Sequence, residues 1–321
     1  MIITDRPLKA VDLFCGVGGL SRGFQDAGVE IIAGYDNWDK ALGVYNANFE
    51  SHKAGKLDLS DVSLAEETLR ELSFDMIIGG PPCQDFSHAG KRVEKERADL
   101  TINFALIVTD LQPPLFVMEN VDRITKSKAW ETARRIFKSR GYGLTERVLD
   151  ACYCGVPQRR KRYICVGVLG GTDGELSPLI EARLTPKPLT VRQYLDAEIP
   201  VEYYYRHPRN YCRRAIFSVD EPSPTIRGVN RPVPKGYPGH PNDPAPVTPE
   251  LRRLTSWERS RIQTFPQDYV WLGSSSDMEQ MIGNAVPVKL ANFVAGVVKE
   301  YVESGGAAME ETHDTYGREI F

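Results

Sequence analysis

Histidine and cysteine, which build most metal centres, are scarce in this chain: 5 and 6 among 321 residues. The cysteines are scattered. The closest pair, Cys152 and Cys154, is two apart with no histidine nearby in sequence, which does not match zinc-ligand spacing, so no metal site is expected. Long apolar runs are also missing. None approaches a membrane span, and the first residues carry neither the apolar core of a signal peptide nor a transit-peptide charge pattern. A cytoplasmic protein with reduced thiols, free of the membrane, is the expectation. No segment repeats, which argues against a solenoid. Nor is there an overall positive excess, because the formal net charge is −3. The charge is unevenly divided, however. Residues 183–270 hold 14 Lys plus Arg against 9 Asp plus Glu, a local +5 that leaves −8 for the remainder. Arginines set among tyrosine, proline and glycine suit loops that meet a polyanion, although a solvated loop region accounts for them as well.

The length suffices for one large α/β domain plus a smaller one. Strand and helix patterns alternate from residue 9 to about 169, with strands expected over 142–149 and 163–168. The turn cluster Gly170-Gly171-Thr172-Asp173-Gly174 closes this alternation, and residues 185–269 are proline-rich and aperiodic, which marks a second domain. Periodicity returns over 280–301, read as one helix with Pro287 near its first turn. The expected division is 1–184 with 276–321 as one domain, and 185–275 as the second with its hinge. Residues after 303 read as a frayed tail.

Two glycine turns carry the chemistry. The run Phe74-Asp75-Met76-Ile77-Ile78-Gly79-Gly80-Pro81-Pro82-Cys83-Gln84 is an apolar strand delivering one cysteine onto a rigid turn, where a nucleophile is well held. Alone, such a cysteine is also read as a small buried residue. The second turn follows the strand Ala10-Val11-Asp12-Leu13-Phe14, as Cys15-Gly16-Val17-Gly18-Gly19, and enters a helix over 20–27 that Gly28 stops. Strand, glycine turn and helix in that order make a nucleotide pocket. Asp36 ends the next strand, 20 residues after Gly16, the spacing at which an acid meets a ribose. Trp38 follows and suits an adenine face, or packing. Asp58 and Glu119 also stand at strand ends, so a parallel sheet would gather Asp36, Asp58, Cys83 and Glu119 at one edge. Taken singly, each acid reads more readily as a helix cap or a surface residue.

Together these segments resemble the DNA (cytosine-5) methyltransferase family along nearly the whole chain. Six motifs stand in family order. They are Asp12 to Gly19 as the cofactor loop, Gly79 to Ser87 as the nucleophile loop, Glu119-Asn120-Val121 as the acid, and Gln158-Arg159-Arg160-Lys161-Arg162 as the basic motif. Arg253-Leu254-Thr255 through Gln263-Thr264-Phe265-Pro266, and Gln280 to Pro287, complete the series. Departures are Asp36-Asn37 where Glu is common, Asp150 where Asn is common, and Cys154 where an aromatic is common.

The resemblance implies an α/β fold, a methyltransferase Rossmann-like sheet closed over a cleft by a small irregular target-recognition domain, 185–275. It implies S-adenosylmethionine held by Phe14, Gly16, Gly19, Asp36, Trp38, Asp58 and Leu59, with Pro82, Asn284 and Val286. Catalysis would fall to Cys83 attacking C6 of a flipped cytosine, Glu119 donating to N3, and Arg160 and Arg162 clamping O2 and a phosphate. Gln84, Ser87 and Thr225 would contact DNA, residues 87–99 would close over the base, and Arg227 and Arg231 would read it, favouring a G/C-rich site. The resemblance further implies a monomer on double-stranded DNA of the bacterial or phage restriction-modification type, and leaves open whether a cognate restriction endonuclease acts on the same site.

Three alternatives stand beside this reading. A tRNA cytosine-5 methyltransferase shares the catalytic motifs but usually carries a Cys-Phe-Thr signature, which this sequence lacks. A catalytically silent DNA-binding protein would lose the chemistry, yet Cys83, Glu119 and Arg162 are present. A nicotinamide oxidoreductase would leave Pro82-Cys83-Gln84 and Glu119-Asn120-Val121 unexplained.

Overall fold

The computed structural model describes residues 6–82, 100–208, 210 and 212–306; Cys83, Gln84, Ser87, the expected closing loop, Arg209 and the chain beyond 306 lie outside them. Five segments, β1 (Lys9–Leu13), β2 (Glu30–Asp36), β3 (Ala54–Lys56), β4 (Met76–Gly79) and β5 (Leu115–Val121), pair in parallel. β6 (Tyr142–Asp150) and β8 (Lys161–Leu169) extend them, while β7 (Gln158–Arg159) stands apart. The seven-stranded order is β3-β2-β1-β4-β5-β8-β6, with β8 antiparallel to both neighbours. This is the α/β sheet expected.

Alternation along the central strands divides the core. Ala10, Met76, Ile78, Leu115 and Val117 face one side, and Val11, Leu13, Ile77, Phe116 and Met118 face the other. A strand buried on both faces must be apolar throughout, which is why these runs lack the polar alternation of a half-exposed sheet. The first face is covered by α1 (Gly19–Asp26), α6 (Ser177–Arg183) and α10 (Val288–Glu303). The second is covered by α3 (Val62–Arg70), α4 (Leu100–Leu111) and α5 (Lys128–Ser139). α2 (Asp39–Asn48) lies beside the glycine turn, where Ala41 and Val44 pack with Val17.

Residues 280–301 are not one helix. α9 (Ser275–Asn284) stops and α10 starts after Pro287, whose missing N–H suits a helix start. The stretch Ser275–Glu303 also corrects the expectation about apolar runs: an 18-residue window within it reaches a mean hydropathy of 1.5 and matches a membrane span by length and composition. Most of its apolar residues face the sheet, α1 and the glycine turn, and Ile282 faces the core of the irregular half.

In the irregular half, β9 (Tyr203–Tyr205) pairs antiparallel with β10 (Ile216–Ser218), and β11 (Ser223–Pro224) pairs with β7. α7 (Val191–Leu195) and α8 (Ser256–Ile262) close a small core of Val191, Leu195, Tyr204, Phe217, Leu254 and Ile262, into which α9 sends Ile282.

The α1–α10 contact depends on Gly23, where an added Cβ would lie 2.3 Å from the Ala291 Cβ and 2.4 Å from the Val288 carbonyl oxygen. Gly23→Ala is expected to cost about 1–3 kcal/mol in urea unfolding. Gly43→Ala, at a helical position of α2 with nothing within 4 Å, is expected to gain about 0.5–1 kcal/mol. Equal stabilities would refute the close packing.

Candidate active site

After β1 the backbone turns sharply. Phe14 takes φ +60°, a conformation costly to a side chain, and Gly16 and Gly18 follow at +53° and +87°. Asp36, at the end of β2, holds this turn: one carboxylate oxygen accepts from the Gly16 N–H at 2.9 Å and the other from the Trp38 N–H at 2.9 Å. The spacing of 20 residues is thus realised as a bond within the protein. At Gly16 an added Cβ would meet nothing within 4 Å, so the turn opens onto space. Beneath it Asp12 is fully buried and accepts from the Ser21 N–H at 3.1 Å and the Ser21 hydroxyl at 2.5 Å. Burial pushes its carboxyl up to about 7, against the opposing pull of the two Ser21 bonds and with a smaller upward push from Asp36.

That space is a cavity of about 610 Å³. Phe14, Gly16 and Gly19 form one wall, Asp36, Trp38, Asp58 and Leu59 a second, and Asn284 and Val286 a third. Pro82, Glu119, Arg160 and Arg162 close it. Each cofactor residue expected from the sequence therefore lines the same cavity as the expected acid. Trp38 is half-buried beside Val17, Met281 and Ala285. Asp58 Oδ1 accepts from the Ser60 N–H and hydroxyl.

The parallel register of β4 and β5 builds the far corner. Gly79 stands opposite Met118, so the following turn emerges beside Glu119. An added Cβ on Gly80 would lie 3.2 Å from Glu119 Oε2. The other oxygen, Oε1, pairs with Arg162 Nε at 2.7 Å, both side chains being nearly buried. Arg162 reaches it because β8 runs antiparallel to β5, with Arg162 opposite Val121. Asn120 has no role of its own in the sequence reading, where it only accompanies Glu119, yet its amide donates to the Pro81 carbonyl at 2.8 Å and fixes the proline turn. The signal was its position next to Glu119 at a strand end. Pro82 is the described residue that precedes Cys83.

Arg160 lines the cavity and the groove but is bound to the backbone. It is 1% exposed, and its guanidinium donates to the carbonyls of Ile226 at 2.9 Å, Gly283 at 3.0 Å and Ala285 at 3.1 Å. Those bonds commit it to the backbone. Gln158 joins the arrangement, accepting from the Ile226 N–H at 2.8 Å and donating to Gln263 at 2.7 Å.

Beyond Arg162 and Asn284, which line both spaces, lies a groove of about 1260 Å³ rich in arginine. Thr225 is on its wall, donating its hydroxyl to the Arg159 carbonyl at 2.8 Å. Arg227 is on the wall too and donates to the His207 carbonyl. Arg231 is exposed but does not line the groove. Gln84 and Ser87 lie outside the described residues.

The family model described as C-5 cytosine-specific DNA methylase matches residues 8–300. Over 305 residues, 93% of this chain and 100% of the relative, the sequence is 52% identical to the Type II methyltransferase M.HindV of Haemophilus influenzae. It is 50% identical over 296 residues to the Type II methyltransferase M.HgiDI of Herpetosiphon aurantiacus, covering 92% and 95% of the two chains. Among solved structures, the S. pombe Dnmt2 methyltransferase aligns with a TM-score of 0.66 at 18% identity, over 92% of this chain and 99% of that one. The Entamoeba histolytica methyltransferase EhMeth aligns with a TM-score of 0.65 at 15% identity, over 94% and 99%. At those identities the likeness is one of fold.

Asp12 yields a pH test. Its carboxyl titrates near pH 7 in the fold and near 4 in the unfolded chain, so the native state holds the proton more tightly. The resulting stability is present below about pH 4 and is lost as pH rises to about 7. Asp12→Asn, which imitates the protonated group, is expected to flatten that decline by about 1 kcal/mol per pH unit in urea unfolding across the window. An unchanged slope would show that Asp12 is ionised throughout.

Proposed function

The chain belongs to the C-5 cytosine-specific DNA methylase family, and from that membership we propose that it methylates C5 of a flipped-out cytosine in a specific duplex sequence, using S-adenosylmethionine and a transient Cys83–C6 bond. The observation that carries this reading is the single cavity that holds both the glycine-turn wall and the Glu119–Arg162 pair. Its residues suit the cofactor. Phe14, Leu59 and the Trp38 indole offer an apolar and aromatic slot for a purine, Asp58 an acceptor for its amine, and Asp36 with Asn37 polar groups for a ribose. S-adenosylmethionine, when bound, supplies the electrophilic sulfonium methyl that C5 takes.

The protein's own task is to make C5 nucleophilic. In the neutral ring it is a poor nucleophile. The Cys83 thiolate adds to C6 while Glu119 donates a proton to N3, which turns the ring into an enamine. Arg162 holds Glu119 by Oε1 and leaves Oε2 on the Gly80 side, toward the proline turn. After transfer, a base removes the C5 proton, Cys83 leaves C6 as the C5–C6 double bond re-forms, and N3 returns its proton to Glu119. C6 of a stacked base is out of reach of a thiol, so the cytosine must leave the duplex at a cost of a few kcal/mol.

We assign DNA to the arginine-rich groove, with Thr225 and Arg227 on its wall, Arg231 at its flank, and Gln84 and Ser87 completing the contact. Residues 185–275 are its recognition domain, and 1–184 with 276–321 the catalytic domain. The name Type II methyltransferase on relatives at 52% and 50% identity supports a restriction-modification role on DNA over tRNA methylation. A monomer in the cytoplasm, beside a cognate endonuclease of the same site, completes the reading.

Cys83→Ser is expected to abolish methylation and the covalent complex with 5-fluorocytosine DNA while S-adenosylmethionine still binds. Full methylation by that variant would exclude the nucleophile. Glu119→Gln is expected to slow covalent addition about 10²–10⁴-fold without comparable loss of DNA affinity; equal losses would point to a structural role. Trp38→Ala and Asp58→Ala are expected to weaken S-adenosylmethionine binding more than DNA binding in calorimetry. Unchanged cofactor affinity in both would misplace the adenine.

A further inference from the structure

Residues 231–249 are too rich in proline to form regular structure, so something else must hold them. Asp243 does so. One carboxylate oxygen accepts from the Ala215 N–H at 2.9 Å and the Ile216 N–H at 3.0 Å; the other accepts from the Tyr237 hydroxyl at 2.9 Å and the His240 N–H at 2.8 Å. Although burial acts in the opposite direction, these bonds hold its carboxyl below the usual range. A single ionised side chain thus clips the proline-rich limb to the limb that enters β10.

Both limbs reach the groove. Arg213 stands two residues before Ala215, and His240 and Asn242 precede Asp243; all three line the groove wall. Their neighbours on the wall are already engaged. Arg206 donates to the Thr225 carbonyl, Arg227 to that of His207, and Arg214 pairs with Glu221 and stacks on Phe217 at 4.4 Å. Among the described residues, the Arg213 and Asn242 side chains make no hydrogen bond or ion pair, and both residues are exposed. His240 Nδ1 accepts from the Asn242 N–H at 3.1 Å, which leaves Nε2 as the donor of the neutral ring.

We infer that Arg213, His240 and Asn242 read base edges in the bound duplex, displayed by two limbs that Asp243 joins. The inference rests on the DNA reading above. A backbone already held loses little further order on binding, and these side chains have no bonds to give up, whereas the engaged arginines would first have to break theirs. The chemistry selects purines. A guanidinium matches O6 and N7 of guanine, a carboxamide matches N6 and N7 of adenine, and the imidazole donor matches a purine N7.

The test uses the full chain and a randomised duplex library, read once by methylation mapping and once by sequencing the bound fraction, at two salt concentrations. Arg213→Ala and Asn242→Ala are each expected to relax discrimination at one base position by about 5- to 150-fold. Asp243→Asn is expected to relax several positions together. Matching thermal unfolding of the two alanine variants and the parent would verify their folds. Wild-type site preference in both alanine variants would overturn the inference. So would equal weakening on all sequences with a salt slope lower by about one, the signature of phosphate contacts. If the parent binds with a sequence preference yet methylates nothing, the proposed activity fails while base reading is still decided by the bound fraction.

Discussion

A guanidinium with almost no exposed surface sits where the cavity meets the groove, and the arrangement on either side depends on it. Burial drives the Arg160 pKa well below its ordinary value, with Arg162 acting in the same direction and Glu119 opposing. The charge is tolerated because backbone carbonyls pair both terminal nitrogens. They come from the recognition segment, at Ile226, and from the end of α9, at Gly283 and Ala285, while Arg160 itself leads into β8 and Arg162. Three parts of the sequence, separated by 66 and 123 residues, are thereby fixed to one side chain. Close packing reinforces the seam, since an added Cβ on Gly283 would lie 2.1 Å from the Gly228 nitrogen. A substitution that removed the donors would leave buried carbonyls unpaired, which costs more than the bonds contribute.

The same economy appears in the cavity. Asp36 shapes the glycine turn with the carboxylate that also faces the space, and Arg162 orients Glu119 while lining both cavity and groove. Residues that position the chemistry are therefore hard to separate from residues that perform it. Phe14 illustrates the cost: its left-handed backbone is held because β1 and the turn on either side fix it.

Much of the sheet and cavity was legible in the sequence, for a physical reason. Parallel strands buried on both faces are written as apolar runs, and the carboxyl edge of such a sheet collects whatever follows each run, so Asp36, Asp58 and Glu119 could be placed together. The burial of Arg160 was not legible, because spacing within a basic motif does not say which arginine the fold will bury. The break at Pro287 was absorbed into a helix, since apolar periodicity continues on both sides of it. In the groove the limit was different. Arg231 and Arg213 are both exposed arginines in aperiodic chain; Arg213 lies on the wall, two residues before the Ala215 N–H that the distant carboxylate of Asp243 holds.

The position of α10 bears on the order in which the protein becomes competent during synthesis. α1 and the sheet face beside it are made early, but their cover, α10, is encoded more than 250 residues later. At about 5–20 residues per second, that face waits for tens of seconds with its apolar side chains uncovered. Asn284 and Val286, which complete the cavity, arrive in the same late stretch. A nascent chain therefore has a finished sheet and an unfinished pocket, and a truncated one would be a candidate for chaperones before it could act on any substrate.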